Sequence, residues 1–242
     1  MKKIFKNLFL ILSIIFFSFF IVNCTKKEKL SKKEVIERFV ENSKNLKSAD
    51  MNSEITLKDE SDKNSKLNLN FSTEASIIIE PFSMKINMTI PMQSQKVEMY
   101  IKNEYVYILN PMTNQWIKKA EKELNQYLKN SLASSNEIYD IIKNNVDKID
   151  LQEKDKYYIM TIADATLLFE DAFKKQLLSL NLNNNDLLNS FPIENLFLTY
   201  TIDKKTYLPI SSYSQFDIII EGKRVNMSID TKFYNIDKVK EI

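Results

Sequence analysis

From Ala49 to Ile117 the apolar residues of this chain recur at every second position, and that period leaves few folds open. Met51, Ser53, Ile55 and Leu57 alternate with Asn52, Glu54, Thr56 and Lys58. A second alternation through Leu67, Leu69 and Phe71 ends in Ile77-Ile78-Ile79. Pro81 breaks the chain, after which Phe82, Met84, Ile86, Met88 and Ile90 alternate with Ser83, Lys85, Asn87 and Thr89 until Pro91. Val97, Met99 and Ile101 follow, then Tyr105 to Leu109, a Pro111-Met112-Thr113-Asn114 turn, and Trp116-Ile117. Successive side chains of a strand point to opposite faces, so a period of two builds a sheet with one apolar and one polar face. Six such strands, joined by short polar turns such as Ser61-Asp62-Lys63-Asn64-Ser65, predict an antiparallel meander.

The flanking segments supply helices and more strands. Ser31 and Glu34 form a capping box, and Val35, Ile36, Phe39, Val40 and Leu46 follow at helical spacing, which predicts a helix over about 32–47. Such a helix can pack on a core or lie on a membrane; its mixed polar face of Glu37, Arg38, Glu41 and Lys47 favours the core. Helical spacing returns at Leu124, Tyr127, Leu128 and Leu132, and a further helix starts at Asn136 with Ile138, Ile141 and Ile142. Val146 to Leu151 and Tyr157 to Ile162 read as a hairpin, and Asp164 as the cap of a helix bearing Leu167, Leu168, Ala172, Leu177 and Leu180. Asn183-Asn184-Asn185-Asp186 has the look of a calcium loop but lacks its glycine and distal glutamate, so it reads as a loop. Three long strands close the chain: Ile193 to Ile202, Ser211 to Ile220 and Val225 to Tyr234, with turns at Asp203-Lys204-Lys205 and Glu221-Gly222-Lys223. About ten strands and three or four helices without β-α-β alternation give an α+β fold on an antiparallel sheet. If that sheet is curved, its apolar faces line the inside and the helices cover them. Ile77-Ile78-Ile79, Tyr105 to Leu109 and Ile218-Ile219-Ile220 are apolar on both faces, which suits either a doubly covered site or a patch for a partner.

What the chain lacks narrows its function. It has no histidine, which excludes histidine-based triads and most zinc sites. Gly222 is its only glycine, so neither a phosphate-cradling loop nor a nucleophile elbow can form. The pairs Asp59-Glu60 and Glu170-Asp171 are sequence neighbours that point apart and read as solvated charges. No catalytic residues, metal site or soluble cofactor are expected.

The N-terminus sets the location. Lys2, Lys3 and Lys6 precede an apolar run from Leu8 to Val22, shorter than the ~20 residues of a spanning helix, and the run stops at Ile21-Val22-Asn23-Cys24. Cys24 is the only cysteine, so no disulfide forms within the chain. The order matches a secretory signal over residues 1–23, and the residues before Cys24 resemble the lipobox of bacterial lipoproteins, in which a diacylglyceryl group is carried on the cysteine sulfur. The alternative is an uncleaved anchor with an incidental cysteine. Removing residues 1–23 takes away three lysines, leaving 31 basic against 32 acidic residues in 219, so no basic surplus points to nucleic acid. Residues 24–30 then form a charged tether, either a solvated spacer or one whose lysines touch anionic headgroups, and residues 31–242 one domain.

Several stretches carry a wider resemblance. Met99-Tyr100-Ile101, Tyr105-Val106-Tyr107, Trp116-Ile117-Lys118, Ile202-Asp203-Lys204-Lys205-Thr206-Tyr207-Leu208-Pro209, Phe233-Tyr234-Asn235 and Lys238-Val239 fall in an order similar to lipoprotein carriers of the LolA and LppX/LprG type. It is closer still to an uncharacterised bacterial lipoprotein family of that architecture. The resemblance implies a half-barrel whose concave apolar face, lidded by helices, holds acyl chains, and no catalytic motif. Met84, Ile86, Met88, Ile90, Val97, Met99 and Ile101 are the residues expected to line that cavity, since unbranched thioethers adapt to irregular apolar ligands. The same methionines would equally fill a solid core, and Met84, Met88 and Met92 share one face in a way that suits copper, though no histidine joins them. The expected protein is thus a membrane-anchored, extracytoplasmic envelope lipoprotein that binds or carries a hydrophobic ligand. The alternative is a binding or sensor module for another envelope protein.

Overall fold

The computed structural model describes residues 30–59, 68–90, 95–103, 105–110, 112–120, 136–178, 193–220 and 223–242. The chain separates into two compact units, Met1–Ser31 and Lys32–Ile242, and the second carries every element named below. Among the described residues, eleven strands form one open antiparallel sheet: β1 (Ser48–Asp59), β2 (Asn68–Ile78), β3 (Ser83–Ile90), β4 (Gln95–Lys102), β5 (Tyr105–Asn110), β6 (Gln115–Ala120), β7 (Asp150–Glu153), β8 (Tyr157–Ile162), β9 (Ile193–Asp203), β10 (Pro209–Ile220) and β11 (Lys223–Tyr234). Their order is β6-β5-β4-β3-β2-β1-β11-β10-β9-β8-β7. The expected six-stranded meander is therefore one wing of the sheet. A second wing runs from β7 to β11, and the two join where β1 pairs with β11, from Asp50↔Tyr234 to Asp59↔Val225. The helices are α1 (Lys32–Lys44), α2 (residues 136–144) and α3 (Thr166–Leu178). Among the described residues no helix is long and apolar enough to cross a membrane.

Helix α1 starts at Lys32, which puts Ser31 at its cap position, and it buries Val35, Ile36, Phe39 and Val40 as their spacing requires. It stops at Lys44, short of the expected end, leaving Leu46 in the connection to β1. Helix α3 departs further from expectation. Its first turn is capped from Ala165, whose carbonyl accepts from the amides of Leu168 and Phe169, and not from Asp164. The Ala165 amide donates to the carbonyl of Leu196, and the Leu196 amide donates to Thr166 Oγ1 at 2.9 Å, so the start of the helix is tied to β9. Ala165, Phe169 and Ala172 consequently face the core while Leu167 is 86% exposed. Val146–Lys148 forms a single 3-10 turn before β7 instead of extending that strand.

A bulge adjusts β9 against β10. Glu194 opposes Asp217 and Phe197 opposes Gln215, so β9 carries one extra residue, and Asn195 takes a left-handed φ of 53° there. Asparagine tolerates that region better than branched residues do. Its side chain donates to Asp217 at 2.7 Å and Asn226 donates to the other carboxylate oxygen at 2.8 Å, while Arg224 pairs with Glu194. This satisfies the oxygens of Asp217, a carboxylate buried at 5% exposure within the sheet. The β9–β10 turn is closed by Asp203, which accepts from the amides of Lys205 and Thr206 at 2.8 Å each. Several sequence features lie outside the described residues: Cys24, the Ser61–Ser65 turn, Pro91 and Met92, the Leu124–Leu132 stripe, Leu180, the Asn183–Asp186 loop and Gly222.

Candidate ligand-binding face

Residues paired directly across an antiparallel sheet project to the same side, so the register itself defines the faces. Met84 opposes Ile101 and Ile77, Ile86 opposes Met99 and Ala75, and Met88 opposes Val97 and Thr73. Met84, Ile86, Met88, Val97, Met99 and Ile101 thus belong to one side of the sheet, while the side chain of Ile90 lies outside what the structure describes. That side continues through Ala49, Met51, Ile55 and Leu57 of β1 and Met227, Ile229 and Phe233 of β11. It reaches Tyr200 and Leu198 of β9 and Met160 and Ile162 of β8. The opposite face of β1–β4 carries Asn52, Glu54, Lys58, Ser72, Glu74, Lys85 and Glu98 and is polar, with a groove of about 260 Å³ whose walls include Glu74, Lys96 and Glu98. That groove does not suit an apolar ligand.

The apolar side is unevenly packed. On the β8–β9 flank Met160, Ile162, Leu196, Leu198 and Ile202 are 5% exposed or less. Helix α1 packs there, with Phe39 at 5.3 Å from the Tyr200 ring and edge-on at 5.9 Å to Tyr139 of α2. Burial pushes the hydroxyls of both tyrosines above their ordinary pKa, and at Tyr200 the neighbouring Tyr139 adds to the effect of burial. Across β1–β4 and β11 the same face is only half-buried: Met51, Ile55, Leu57, Phe71, Ile77, Met84, Ile86, Met88, Val97, Met99, Met227, Ile229 and Phe233 all retain solvent contact. Among the described residues, no apolar side chain of β2 or β3 is fully buried. Ile101 and Val106 are, at 2% and 3%, which makes Ile101 a packed margin of the face.

Where the two regimes meet, a cleft of about 220 Å³ opens between the end of α1, the start of α2 and the sheet, with Leu46, Met51, Ile77, Tyr139, Pro209 and Phe233 among its walls. A ligand pocket usually measures about 300–1,000 Å³, so the cleft alone is small, but Met51, Ile77 and Phe233 are also part of the half-buried face that leads out of it.

One feature of the face is absent from the alternation read in the sequence. A row of small hydroxyls crosses the apolar side, because Thr73 opposes Ser53, Ser53 opposes Thr231 and Thr231 opposes Ser212. Ser53 and Thr231 hydrogen-bond to each other at 2.9 Å. Thr73 Oγ1 is buried and has no hydrogen-bond partner among the described residues. The signal was present in the sequence as Ser or Thr at positions in phase with Met and Ile, but only the register shows that four strands place them in line.

The outer face of β4–β6 is different again. Tyr100 lies edge-on to Trp116 at 5.2 Å, and the Lys118 ammonium sits 3.7 Å from the centre of the Tyr105 ring. Trp116 is 46% exposed. The doubly apolar Tyr105 to Leu109 segment therefore places aromatic rings on the side away from the apolar face.

The model of the family of unknown function DUF6612 matches residues 31–242, and the chain belongs to that family. None of the curated proteins matches it in sequence. Among solved structures it is similar to the lipoprotein LppX of Mycobacterium tuberculosis, at 10% identity over 87% of this chain and 97% of the other, with a TM-score of 0.47. It is similar to LprF from Mycobacterium bovis at 11% identity over 87% and 95% of the two chains, with a TM-score of 0.49. A LolA superfamily protein from Nitrosomonas europaea gives 11% identity over 88% and 96%, with a TM-score of 0.26. These are the types of protein to which the sequence bears its resemblance.

Proposed function

We propose that this member of the DUF6612 family is a bacterial envelope lipoprotein, acylated on Cys24 after removal of residues 1–23, that binds a hydrophobic ligand on the apolar side of its sheet. In this reading residues 24–30 tether the domain to the outer side of a membrane. The sheet curves into a half-barrel, the helices cover its concave face, and Met84, Ile86, Met88, Ile90, Val97 and Met99 contact acyl chains, with Ile101 at the packed edge. The protein is a binder or carrier and not an enzyme.

The observation that carries the reading is the uneven packing. A sheet built to be a core would bury Met84, Met88, Met99 and their neighbours as completely as it buries Met160 and Leu196. Leaving a wide, uncharged, methionine-rich surface half-covered is costly for a monomer unless something apolar occupies it. Native mass spectrometry of the full chain tests this directly: co-purifying lipid, or a fluorescent apolar probe displaced by acyl lipids, is the expected result. No bound lipid together with no displaceable probe refutes it.

The second reading, a module that docks another envelope protein, draws on the exposed rings of Tyr105 and Trp116 on the opposite side, with half-buried Tyr100 edge-on to Trp116. It requires no ligand in the sheet and predicts that Trp116→Ala abolishes partner capture while lipid binding is untouched.

A further inference from the structure

We infer that the β5–β6 hairpin touches the bilayer, with Met112, Trp116 and Ile117 entering its interfacial layer and Lys118 and Lys119 meeting anionic headgroups. This contact is independent of what occupies the apolar side and needs only the membrane of the proposed function. Large apolar side chains left exposed among the described residues are concentrated here: Tyr105 at 36%, Met112 at 89%, Trp116 at 46% and Ile117 at 42% lie in this one hairpin. The others, Tyr157, Leu167, Ile210 and Tyr234, are scattered over β8, α3, β10 and β11. From Tyr105 to Ala120 the sequence holds two lysines and no acidic residue, although the chain beyond residue 23 carries 31 basic against 32 acidic residues. Glu104 and Glu121 come just before and just after this stretch in sequence. Glu98 of the neighbouring β4 accepts from the Tyr100 hydroxyl at 3.1 Å and pairs with Lys85 at 3.5 Å.

The order of these residues back from the tip fits a bilayer and not a flat protein surface. Asn110 shapes the turn: its side chain accepts from the amides of Met112 and Thr113 at 2.9 and 3.3 Å, and Asn114 takes a left-handed φ of 53°. In β6, at the edge of the sheet, Trp116 opposes Leu109 and Ile117 opposes Ile108, one on each face; behind them Lys118 opposes Tyr107 and Lys119 opposes Val106. Each face thus has an apolar residue near the tip and a lysine two positions behind it, about 7 Å further along the strand. A folded partner laid against the sheet covers one face and leaves the other apolar residue in water. A bilayer interface surrounds the tip, and takes methionine and isoleucine into its apolar part, tryptophan at the boundary and lysine at the headgroups. The attachment of the domain agrees. The β5–β6 turn lies at the end of the sheet where β7 begins, and Lys32, the first residue of α1, donates to the Ile149 carbonyl just before β7 at 2.8 Å. The proposed tether therefore joins the domain at the end that carries the hairpin tip.

Trp116 is the only tryptophan of the chain, so the full-length protein carries its own probe. It is incorporated into vesicles of phosphatidylcholine, or of phosphatidylcholine and phosphatidylglycerol in equal parts, each with and without lipids brominated near the headgroup end of their acyl chains. Brominated lipid is expected to quench Trp116 strongly in the mixed vesicles and weakly in the neutral ones. Lys118→Gln combined with Lys119→Gln should lower the ratio of docked to free hairpin in the mixed vesicles by about fivefold per lysine. Met112→Ser should reduce quenching in both vesicles without changing sedimentation with them, since that side chain is 89% exposed and packs on no core. Trp116 untouched by brominated lipid in a chain that still sediments with the vesicles, the outcome expected if a protein partner covers the hairpin, overturns the inference and leaves the proposed anchor standing. Quenching that is equal in the two vesicles and indifferent to the lysine substitutions also overturns it. A chain that sediments with neither vesicle overturns the inference and the anchor together.

Discussion

A matched pair of substitutions, Met160→Ala and Met88→Ala, measures whether the two halves of the apolar side differ as their exposure indicates. Both methionines point to the same side of one sheet, but Met160 is 0% exposed on the α1-packed flank and Met88 is half-buried among Val97 and Thr73. Truncating a fully buried methionine removes its transfer free energy and leaves a void that close-packed neighbours cannot collapse into, about 2–5 kcal/mol in total. At Met88 there is no sealed void to create and only part of the side chain to expose, so the loss should be about 1 kcal/mol. Urea unfolding at constant m-value reads the two directly. Addition of methyl palmitate at about a hundred times its dissociation constant should stabilise the parent by about 2.7 kcal/mol and the Met160→Ala variant by the same amount. The Met88→Ala variant should gain less, because the substitution falls in the binding surface. Equal losses for the two variants without ligand would mean that the β2–β4 half is a filled core, and the ligand-face interpretation would fall.

Asp217→Ala strips the acceptor from the amides of Asn195 and Asn226 inside the sheet, and should cost about 2–3 kcal/mol in urea unfolding; a loss under about 0.5 kcal/mol would show that water replaces the carboxylate. Burial alone would raise the Asp203 pKa, but the amides of Thr206 and Lys205 and the Thr206 hydroxyl outweigh it and hold the carboxyl below its ordinary value. Its contribution is therefore present above the unfolded-state pKa of about 3.9 and fades as pH falls through the lower folded value. The stability gap between the parent and Asp203→Ala, measured by thermal melts from pH 7 to pH 2, should narrow at the acid end, and a gap that widens there contradicts the assignment. Cys24→Ser should abolish incorporation of labelled palmitate and release the protein from the membrane fraction; unchanged retention would remove the proposed anchor.

How much of this was readable beforehand depends on how cleanly each segment separates its faces. The β1–β6 meander was legible because Asn52, Glu54, Lys58, Lys85 and Asn87 mark the polar side at every second position, and the strand boundaries shifted by no more than three residues. Helix α3 was legible as a helix but not in its orientation. Leu167, Leu168 and Phe169 are consecutive apolar residues, so periodicity could not choose among them, and the choice is made by the hydrogen bonds from Ala165 and Thr166 to Leu196 of β9. The bulge at Asn195 is a product of register with β10 and left only a weak trace, an asparagine just before the apolar run Leu196-Phe197-Leu198. For the candidate site, the side shared by Met84, Met88 and Met99 followed from alternation alone. The line formed by Thr73, Ser53 and Thr231 needed the alignment of three strands that are up to 178 residues apart in sequence.

The pairing of β1 with β11 places a demand on timing. The opening strand of the sheet pairs with β2 on one edge and finds its second partner only when Lys223–Tyr234 is available, and the segment after it then fastens the joint, with Asp237 accepting from the Lys47 amide and the Val239 amide donating to Ser48. Until that last stretch arrives, the polypeptide has two separate ribbons, each with one bare edge in the centre of the future sheet. Such a molecule completes its sheet only when the last strand of the chain is in place.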